Sequence, residues 1–188
     1  MHSETSGGLA HFAVTIISKD RPGIVADTTE VLYRLGCNIA DSSCTMLGGD
    51  FAMILIISHE KPFPKLRLTD EFRALQDRTG LVVHLRSLHD DELAAQQDDG
   101  ELCLISVYGS DQPGIVYRVT RMLADKSVNI TDLNTRLIGT KEEPVYVLML
   151  EAILPPDLTV EATSEMLEPL RRELAVEIGV RAITPVSL

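Results

Sequence analysis

The chain alternates between short apolar runs and segments with helical spacing, and this alternation occurs twice. An apolar strand is predicted at residues 11–18 (HFAVTIIS) and a similar one at residues 102–108 (LCLISVY). A helix is predicted after each strand, because apolar positions recur on one face at 3.6-residue spacing. These positions are Ile24, Thr28, Val31, Leu32 and Leu35 in the first half and Ile115, Val119, Met122 and Leu123 in the second.

The remaining elements follow the same order in both halves. A second strand follows each Asn-Ile pair and ends near Gly48 or Gly139, which predicts a hairpin into an apolar third strand. The third strands are predicted at 51–58 and 145–154, the second helices at 64–79 and 157–174, and the closing strands at 81–86 and 176–183. Pro169 lies inside the last helix, where it is expected to kink or split it.

The order β-α-β-β-α-β in each half predicts an α+β fold. Each half is expected to form a ferredoxin-like unit, with a four-stranded antiparallel sheet and both helices on one face. The other sheet face is then uncovered although its strands are apolar. We therefore expect that face to be buried by the other unit or by another chain, and a homodimer is the hypothesis for the assembly.

The two halves also share a phrase, Asp-x-Pro-Gly-Ile-Val, at the junction between first strand and first helix. Asp111 follows Asp20 by 91 residues, and at that offset the later Asn-Ile-x-Asp phrase coincides as well. A register held that long indicates an internal duplication. The predicted division is a first domain at 10–88, a solvated acidic linker at 89–101 and a second domain at 102–186.

The repeated phrase has two interpretations. As a turn, Asp20 caps the helix, Pro22 occupies the first helical turn, and Gly23 allows a tight bend. As a binding site, Gly23 exposes the helix amides to a carboxylate, while Asp20 or Asp41 takes an ammonium group. Asn38 then adds an amide donor and acceptor.

Composition narrows the function classes. The 188 residues carry a formal net charge of −11 and their basic residues form no run, so direct binding to nucleic acid is not expected. Three cysteines, read as buried hydrophobes, and five scattered histidines predict neither disulfides nor a metal site. The methionines are expected in the core. No membrane span or signal peptide is recognised, so a cytoplasmic protein without cofactor is expected.

Together these phrases resemble the ACT domain family, β-α-β-β-α-β regulatory modules that bind amino acids or related metabolites. Two copies in one chain are most similar to the glycine cleavage system transcriptional repressor group of tandem ACT proteins. The resemblance implies ligand binding by at least one half, with candidate residues in both, and one copy of the phrase can be purely structural. Its residues are Asp20, Arg21, Pro22, Gly23, Ile24, Asn38, Ile39 and Asp41 in the first half and Asp111, Gln112, Pro113, Gly114, Ile115, Asn129, Ile130 and Asp132 in the second.

The same resemblance implies the function. We expect an amino-acid-responsive regulator, with glycine the favoured ligand, that acts through a DNA-binding partner. The alternative is a regulatory subunit of an amino-acid metabolic enzyme. Catalysis by this chain is not expected, because no nucleophile with a matched base, phosphate loop or dinucleotide fingerprint is present. Gln112 stands where the first half has Arg21, so the two sites are expected to differ in affinity if Arg21 contacts a ligand carboxylate.

Overall fold

The computed structural model describes residues 9–60, 63–89, 92, 100–140 and 143–184. The chain divides into two compact units, Met1–Gln96 and Gln97–Leu188. Both units have the element order β-α-β-β-α-β, which confirms the predicted fold class. Of the predicted linker at 89–101, residues 90, 91 and 93–99 lie outside the described residues, as do 185 and 186 of the predicted second domain.

The first unit is one antiparallel sheet with two helices. Its elements are β1 Leu9–Lys19, α1 Ile24–Leu35, β2 Asn38–Leu47, β3 Asp50–Glu60, α2 Lys65–Thr79 and β4 Val82–Leu88. The strand order is β2-β3-β1-β4, so the two apolar strands are central and β2 and β4 form the edges. Central strands are covered most completely by the helices, which is why their sequences are the most apolar.

The second unit repeats this arrangement. Its elements are β5 Glu101–Gly109, α3 Ile115–Ala124, β6 Asn129–Gly139, β7 Pro144–Leu154, α4 Val160–Glu173 and β8 Glu177–Ala182. The strand order is β6-β7-β5-β8, again antiparallel throughout. The duplication in sequence is therefore a duplication of topology.

Each unit has its own hydrophobic core between the helices and one face of the sheet. In the first unit, all five positions predicted for the buried face of α1 are buried. Three predicted positions of α2 are buried as well, namely Leu68, Phe72 and Leu75. In the second unit α3 buries Ile115, Val119 and Leu123, while Met122 is only partly buried against the same core. The 3.6-residue spacing thus identified the packing face of every helix for which it was used.

The sheet face without helices in the first unit exposes apolar side chains. Ile17 is 49% exposed, Ile54 52% and Val82 62%. The adjacent residues along the strands, such as Ile16 and Leu55, are fully buried on the helix side. This alternation is the period of two that a sheet covered on one face produces.

Two predictions about side-chain burial are wrong. Cys103 is buried and Cys37 half-buried, but Cys44 on β2 is exposed. Met46 on the same strand is 66% exposed rather than part of the core. All ten residues of β2 are exposed, because this edge strand lies beyond the area that α1 covers. An exposed edge strand can carry apolar residues without placing them in the core.

The last helix also differs from the prediction. It begins at Val160 instead of residue 157, because Thr159 caps it by accepting a hydrogen bond from the Ala162 amide at 3.1 Å. It is one helix that continues through Pro169, so the predicted split does not occur. Leu167 and Leu170 on either side of the proline are buried, and their packing offsets the lost backbone hydrogen bond.

Replacing Pro169, an exposed residue, by alanine should stabilise the second unit. The P169A substitution restores a helical N–H and removes a ring that crowds the preceding turn, so we expect the free energy of unfolding to rise by about 1–3 kcal/mol. Chemical denaturation followed by circular dichroism measures this change. The control E165A, at another exposed position of the same helix, should stay within about 0.5 kcal/mol of the parent. Equal or lower stability of P169A would contradict this account of the helix.

Candidate functional site

The Asp-x-Pro-Gly phrase forms the connection from the first strand to the first helix in each unit. Gly23 is the residue before α1 and has φ +94°, and Gly114 before α3 has φ +100°. Side chains with a Cβ rarely adopt this left-handed conformation, so the turn itself requires glycine. Gly23 and Gly114 are therefore explained by backbone geometry before any ligand is considered.

The predicted helix cap is wrong. Gly23 occupies the capping position, and no side chain of the described residues accepts a hydrogen bond from the first amides of α1. Asp20 is instead joined to the β2–β3 hairpin, because its backbone amide donates to the Gly49 carbonyl at 3.0 Å. Pro22 precedes the glycine and lies outside the first helical turn. The early amides of α1 thus have no side-chain partner, unlike those of α4.

An open cavity of about 540 Å³ lies at this helix start in the first unit. Its polar or backbone-exposing lining residues are Asp20, Arg21, Gly23 and Thr29, and its apolar ones are Ile24, Val25, Ala26, Met46 and Phe51. Helix amides and an arginine favour an anion, whereas the Asp20 carboxylate favours a cation. The cavity therefore combines both charges of a zwitterion with an apolar wall.

Five of these lining residues were missed by sequence reasoning, namely Val25, Ala26, Thr29, Met46 and Phe51. Val25 and Thr29 belong to the first two turns of α1, and a helical projection from Gly23 could have found them. Met46 and Phe51 reach the cavity only because the β2–β3 hairpin ends beside the loop. Sequence spacing contains no signal for that proximity.

Arg21 is the charged group nearest the turn and it folds back onto its own loop. Its Nη2 donates to Asp27 Oδ2 at 2.7 Å and its Nη1 donates to the Pro22 carbonyl at 3.0 Å. The ion pair remains partly accessible, with 38% of the arginine side chain and 30% of the aspartate side chain exposed. An ion pair with this exposure is weak and can be exchanged for another anion.

The loop of the second unit has different contacts. Gln112 Nε2 donates to the Leu174 carbonyl at the end of α4, at 2.6 Å. Arg118, in the first turns of α3, forms an ion pair with Glu173 at the same helix end. Asp111 and Pro113 are exposed around these contacts. The second loop is therefore bonded to a neighbouring helix, whereas Arg21 in the first loop is bonded within its own segment.

Ile24 and Ile115 do not belong to the surface of the site. Both are buried in the cores beneath their loops, with 2% and 1% exposure. They hold the helix start against the sheet, so we assign them a packing role even where Ile24 contributes to the cavity floor.

The Asn-Ile-x-Asp phrase forms a β-bulge in each unit. The strand register shifts between Ile39 and Asp41 in β2, and between Ile130 and Asp132 in β6. A bulge inserts one unpaired residue and turns the following side chain toward the other face. Ile39 is 38% exposed and Ile130 partly buried against its core. The repeated phrase thus has a structural role in both copies.

The two aspartates of this phrase bond locally. Asp41 Oδ1 accepts from the Ser42 amide at 2.7 Å, and Asp132 Oδ2 accepts from the Asn134 side chain at 2.7 Å. Asp41 lies opposite Ile56 on the sheet face without helices. It is therefore on the other side of the sheet from the cavity beside Gly23.

The asparagines lie at the opposite end of the sheet from the glycine loops. Asn38 begins β2 and pairs with Ser58, whereas the Gly23 loop lies beside the far end of the same strand. Nine residue steps separate Asn38 from Leu47, roughly 30 Å of extended strand. Asn129 begins β6 in the same way. Within one unit, the two halves of the predicted site do not meet.

Each asparagine borders a cavity of its own. Asn38 lines one of about 380 Å³ with Ser58, His59 and Glu60. Asn129 lines one of about 180 Å³ with Ser127, Gly100 and the segment from Ile153 to Pro156. These cavities are equivalent in the two units, but proline replaces the polar wall in the second. The surroundings of Asn38 are therefore more polar than those of Asn129.

The described part of the chain shows neither a metal site nor a reactive thiol at Cys37 or Cys103. No group of three histidine, cysteine or acidic side chains is placed to hold a metal ion there. Burial raises the pKa of the Cys103 thiol and of the Cys37 thiol, and the Arg67 charge opposes the shift at Cys37 only in part. A raised pKa keeps these thiols protonated and poorly nucleophilic. No helix among the described residues is long and apolar enough to cross a bilayer.

Comparison with curated proteins finds UPF0237 proteins and the glycine cleavage system transcriptional repressor among the relatives of this chain. A UPF0237 protein of Streptococcus mutans is 31% identical over 74 residues, which cover 39% of this chain and 84% of that protein. The glycine cleavage system transcriptional repressor of Escherichia coli is 42% identical over 48 residues, or 26% of this chain. That match spans only 25% of the repressor, so it does not transfer the activity of the whole protein.

Solved structures match over almost the whole chain. An unknown protein from Galdieria sulphuraria superposes with a TM-score of 0.78 at 27% identity, covering 94% of this chain and 100% of that one. A protein assigned as a glycine cleavage system transcriptional repressor superposes with a TM-score of 0.71 at 21% identity, covering 94% and 99%. The second likeness concerns the fold alone.

The family model for the ACT domain matches residues 10–86 and again residues 101–181, most of both units. The repeated phrases, the two β-α-β-β-α-β units and these matches agree. The chain belongs to the ACT domain family, with one ACT domain in each half, and is a regulatory-domain relative of the glycine cleavage system transcriptional repressor.

Proposed function

We propose that this protein is an amino-acid-responsive regulator that acts through a DNA-binding partner, with glycine the first ligand to test. The observation that carries the proposal is the cavity at the start of α1, where uncapped amides, Arg21 and Asp20 surround one open space. An amino acid presents a carboxylate and an ammonium group a few ångströms apart. The amides and Arg21 suit the carboxylate, and Asp20 suits the ammonium.

The cavity is much larger than a small amino acid and is open on one side, so a single unit cannot enclose such a ligand. Tight binding of a small molecule requires burial of most of its surface. A second surface must therefore cover the cavity. The free edge of β2 beside it is the place where such a surface can add.

We propose that a second copy of the chain supplies this surface by antiparallel pairing of β2 with β2. A two-fold axis at Ser43, near the middle of the strand, places the two copies of Ser43 opposite each other and Asn38 of one copy beside Leu47 of the other. Asn38 then lies beside the Gly23 loop of its partner. This pairing explains why the two halves of the predicted site lie at opposite ends of one strand.

Partner pairing predicts that a charge at the centre of β2 disrupts both assembly and binding. In the variant S43K, two like charges would face each other across the axis, whereas S43T keeps a small hydroxyl side chain of high strand propensity. Light scattering should show a dimer for the parent and S43T and a monomer for S43K. A parent that is monomeric at micromolar concentration, or an S43K variant that dimerises and binds amino acids normally, would contradict the proposed pairing.

Amino-acid binding should appear as thermal stabilisation. A ligand at 100 times its dissociation constant stabilises the folded state by about 2.7 kcal/mol, which corresponds to a shift of several degrees. The measurement is a melt of the full chain against each of the twenty amino acids at millimolar concentration, beginning with glycine. Succinate and ethylamine serve as controls, since each carries only one kind of charge. If no amino acid shifts the midpoint selectively, the proposed ligand class is wrong.

The charge of the chain limits how it can act at a promoter. A net charge of −11 opposes contact with phosphates, and control of a promoter by such a chain therefore requires a DNA-binding partner. Relation to the Escherichia coli repressor over 48 residues supports the link with transcription. Coupling of ligand binding to partner binding is commonly worth about 1–3 kcal/mol, enough to change partner affinity five- to 150-fold.

The purified protein alone should not bind DNA. Fluorescence anisotropy with promoter duplexes of genes for amino-acid breakdown should show no binding at physiological salt, with or without ligand. Binding should appear only when a DNA-binding regulator is added, and its strength should depend on the amino acid. Specific binding by the protein alone would replace the partner mechanism with direct repression.

A further inference from the structure

The two glycine loops occupy equivalent positions in the sequence, but the charged residues around them differ. In the first unit, Arg21 pairs with Asp27, the fourth residue of α1. The positions 91 residues later carry Gln112 and Arg118, so the second unit has no arginine in the loop and a cation where the first has an anion. The duplication has therefore kept the turn and changed the groups around it.

The contacts of the second loop leave its polar groups occupied by protein. Gln112 bonds to the Leu174 carbonyl, and Arg118 pairs with Glu173, so both reach the end of α4. Gly109 lies against the same junction, where an added Cβ would come within 2.7 Å of a Val176 methyl group. Close packing and two polar contacts hold this loop on the helix end, which is a structural use of the phrase.

In the first loop, Arg21 lies at the cavity and bonds only within its own segment, to Asp27 and to the Pro22 carbonyl. Arg21 and Asp20 both line the space, and Asp27 balances the arginine charge from outside the set of lining residues. A ligand carboxylate can replace Asp27 as the partner of the guanidinium, because the exposed ion pair offers little resistance to exchange. The guanidinium keeps its charge throughout.

We infer that the two ACT domains have divided their roles. The first domain binds the amino acid, with Arg21 exchanging Asp27 for the ligand carboxylate, and the second domain keeps its phrase as a structural anchor through Gln112. This inference rests on the proposed function. It sets the stoichiometry at one amino acid per chain and makes Asp27 an internal competitor of the ligand.

The exchange gives opposite predictions for the two members of the ion pair. In isothermal titration of the full chain with the amino acid that gives the largest melt shift, R21Q should bind at least about tenfold more weakly, and R21K should recover part of the loss. D27N should bind roughly two- to fivefold more tightly, because the competing carboxylate is gone. If Asp27 merely supported the shape of the site, D27N would weaken binding instead.

Matched controls separate the affinity changes of R21Q and D27N from general effects of net charge and of folding stability. E30Q removes an exposed acid from the same helix without touching Arg21, and its affinity should equal that of the parent. Q112A should lower the melting temperature and leave both affinity and stoichiometry unchanged. Two sites per chain, an R21Q variant with parental affinity, or a D27N variant with weaker binding would each overturn the inference while leaving amino-acid binding intact. Absence of binding by the parent would instead remove the proposed function beneath it.

Discussion

The structure depends on one backbone constraint, the left-handed glycine between the first strand and the first helix of each unit. The chain must leave the central strand and return over the sheet within a few residues, and φ values of +94° and +100° accomplish the reversal. Because glycine has no side chain to cap the helix, the first amides of α1 remain available. The requirement of the fold thus produces the feature that a ligand can use, and the same turn recurs at the start of α3.

Duplication has allowed the two turns to diverge. The cores are built alike, from a buried helix face and two central strands, so each unit is stable for the same reason. The loops lie outside these cores and can change partners without loss of packing. Arg21 bonds within its own segment, and Gln112 bonds to the end of α4. In the division of roles proposed above, the first domain responds to the ligand while the second keeps a fixed surface for other contacts.

The edge strand β2 borders the site and has a free edge. It is exposed on both faces, begins at Asn38, and ends beside the cavity. Its bulge after Ile39 increases the local twist and turns Asp41 to the face without helices. An edge with these properties must be protected or paired in a stable protein. Pairing with a second copy would satisfy its free backbone groups and enclose the ligand in one step.

The sequence by itself determined the fold class, the order of the elements and the buried faces of the helices, because period-2 and period-3.6 patterns record which side of an element meets the core. It also located the glycine loops, whose residue types are required by local geometry. Tertiary structure alone decided the rest. Asp20 bonds to the hairpin instead of capping α1, Met46 borders the cavity instead of the core, and Asn38 lies roughly 30 Å from the loop with which it was grouped. These outcomes depend on how strands align in a sheet, and distances between elements are set by that alignment, which spacing along the chain does not encode.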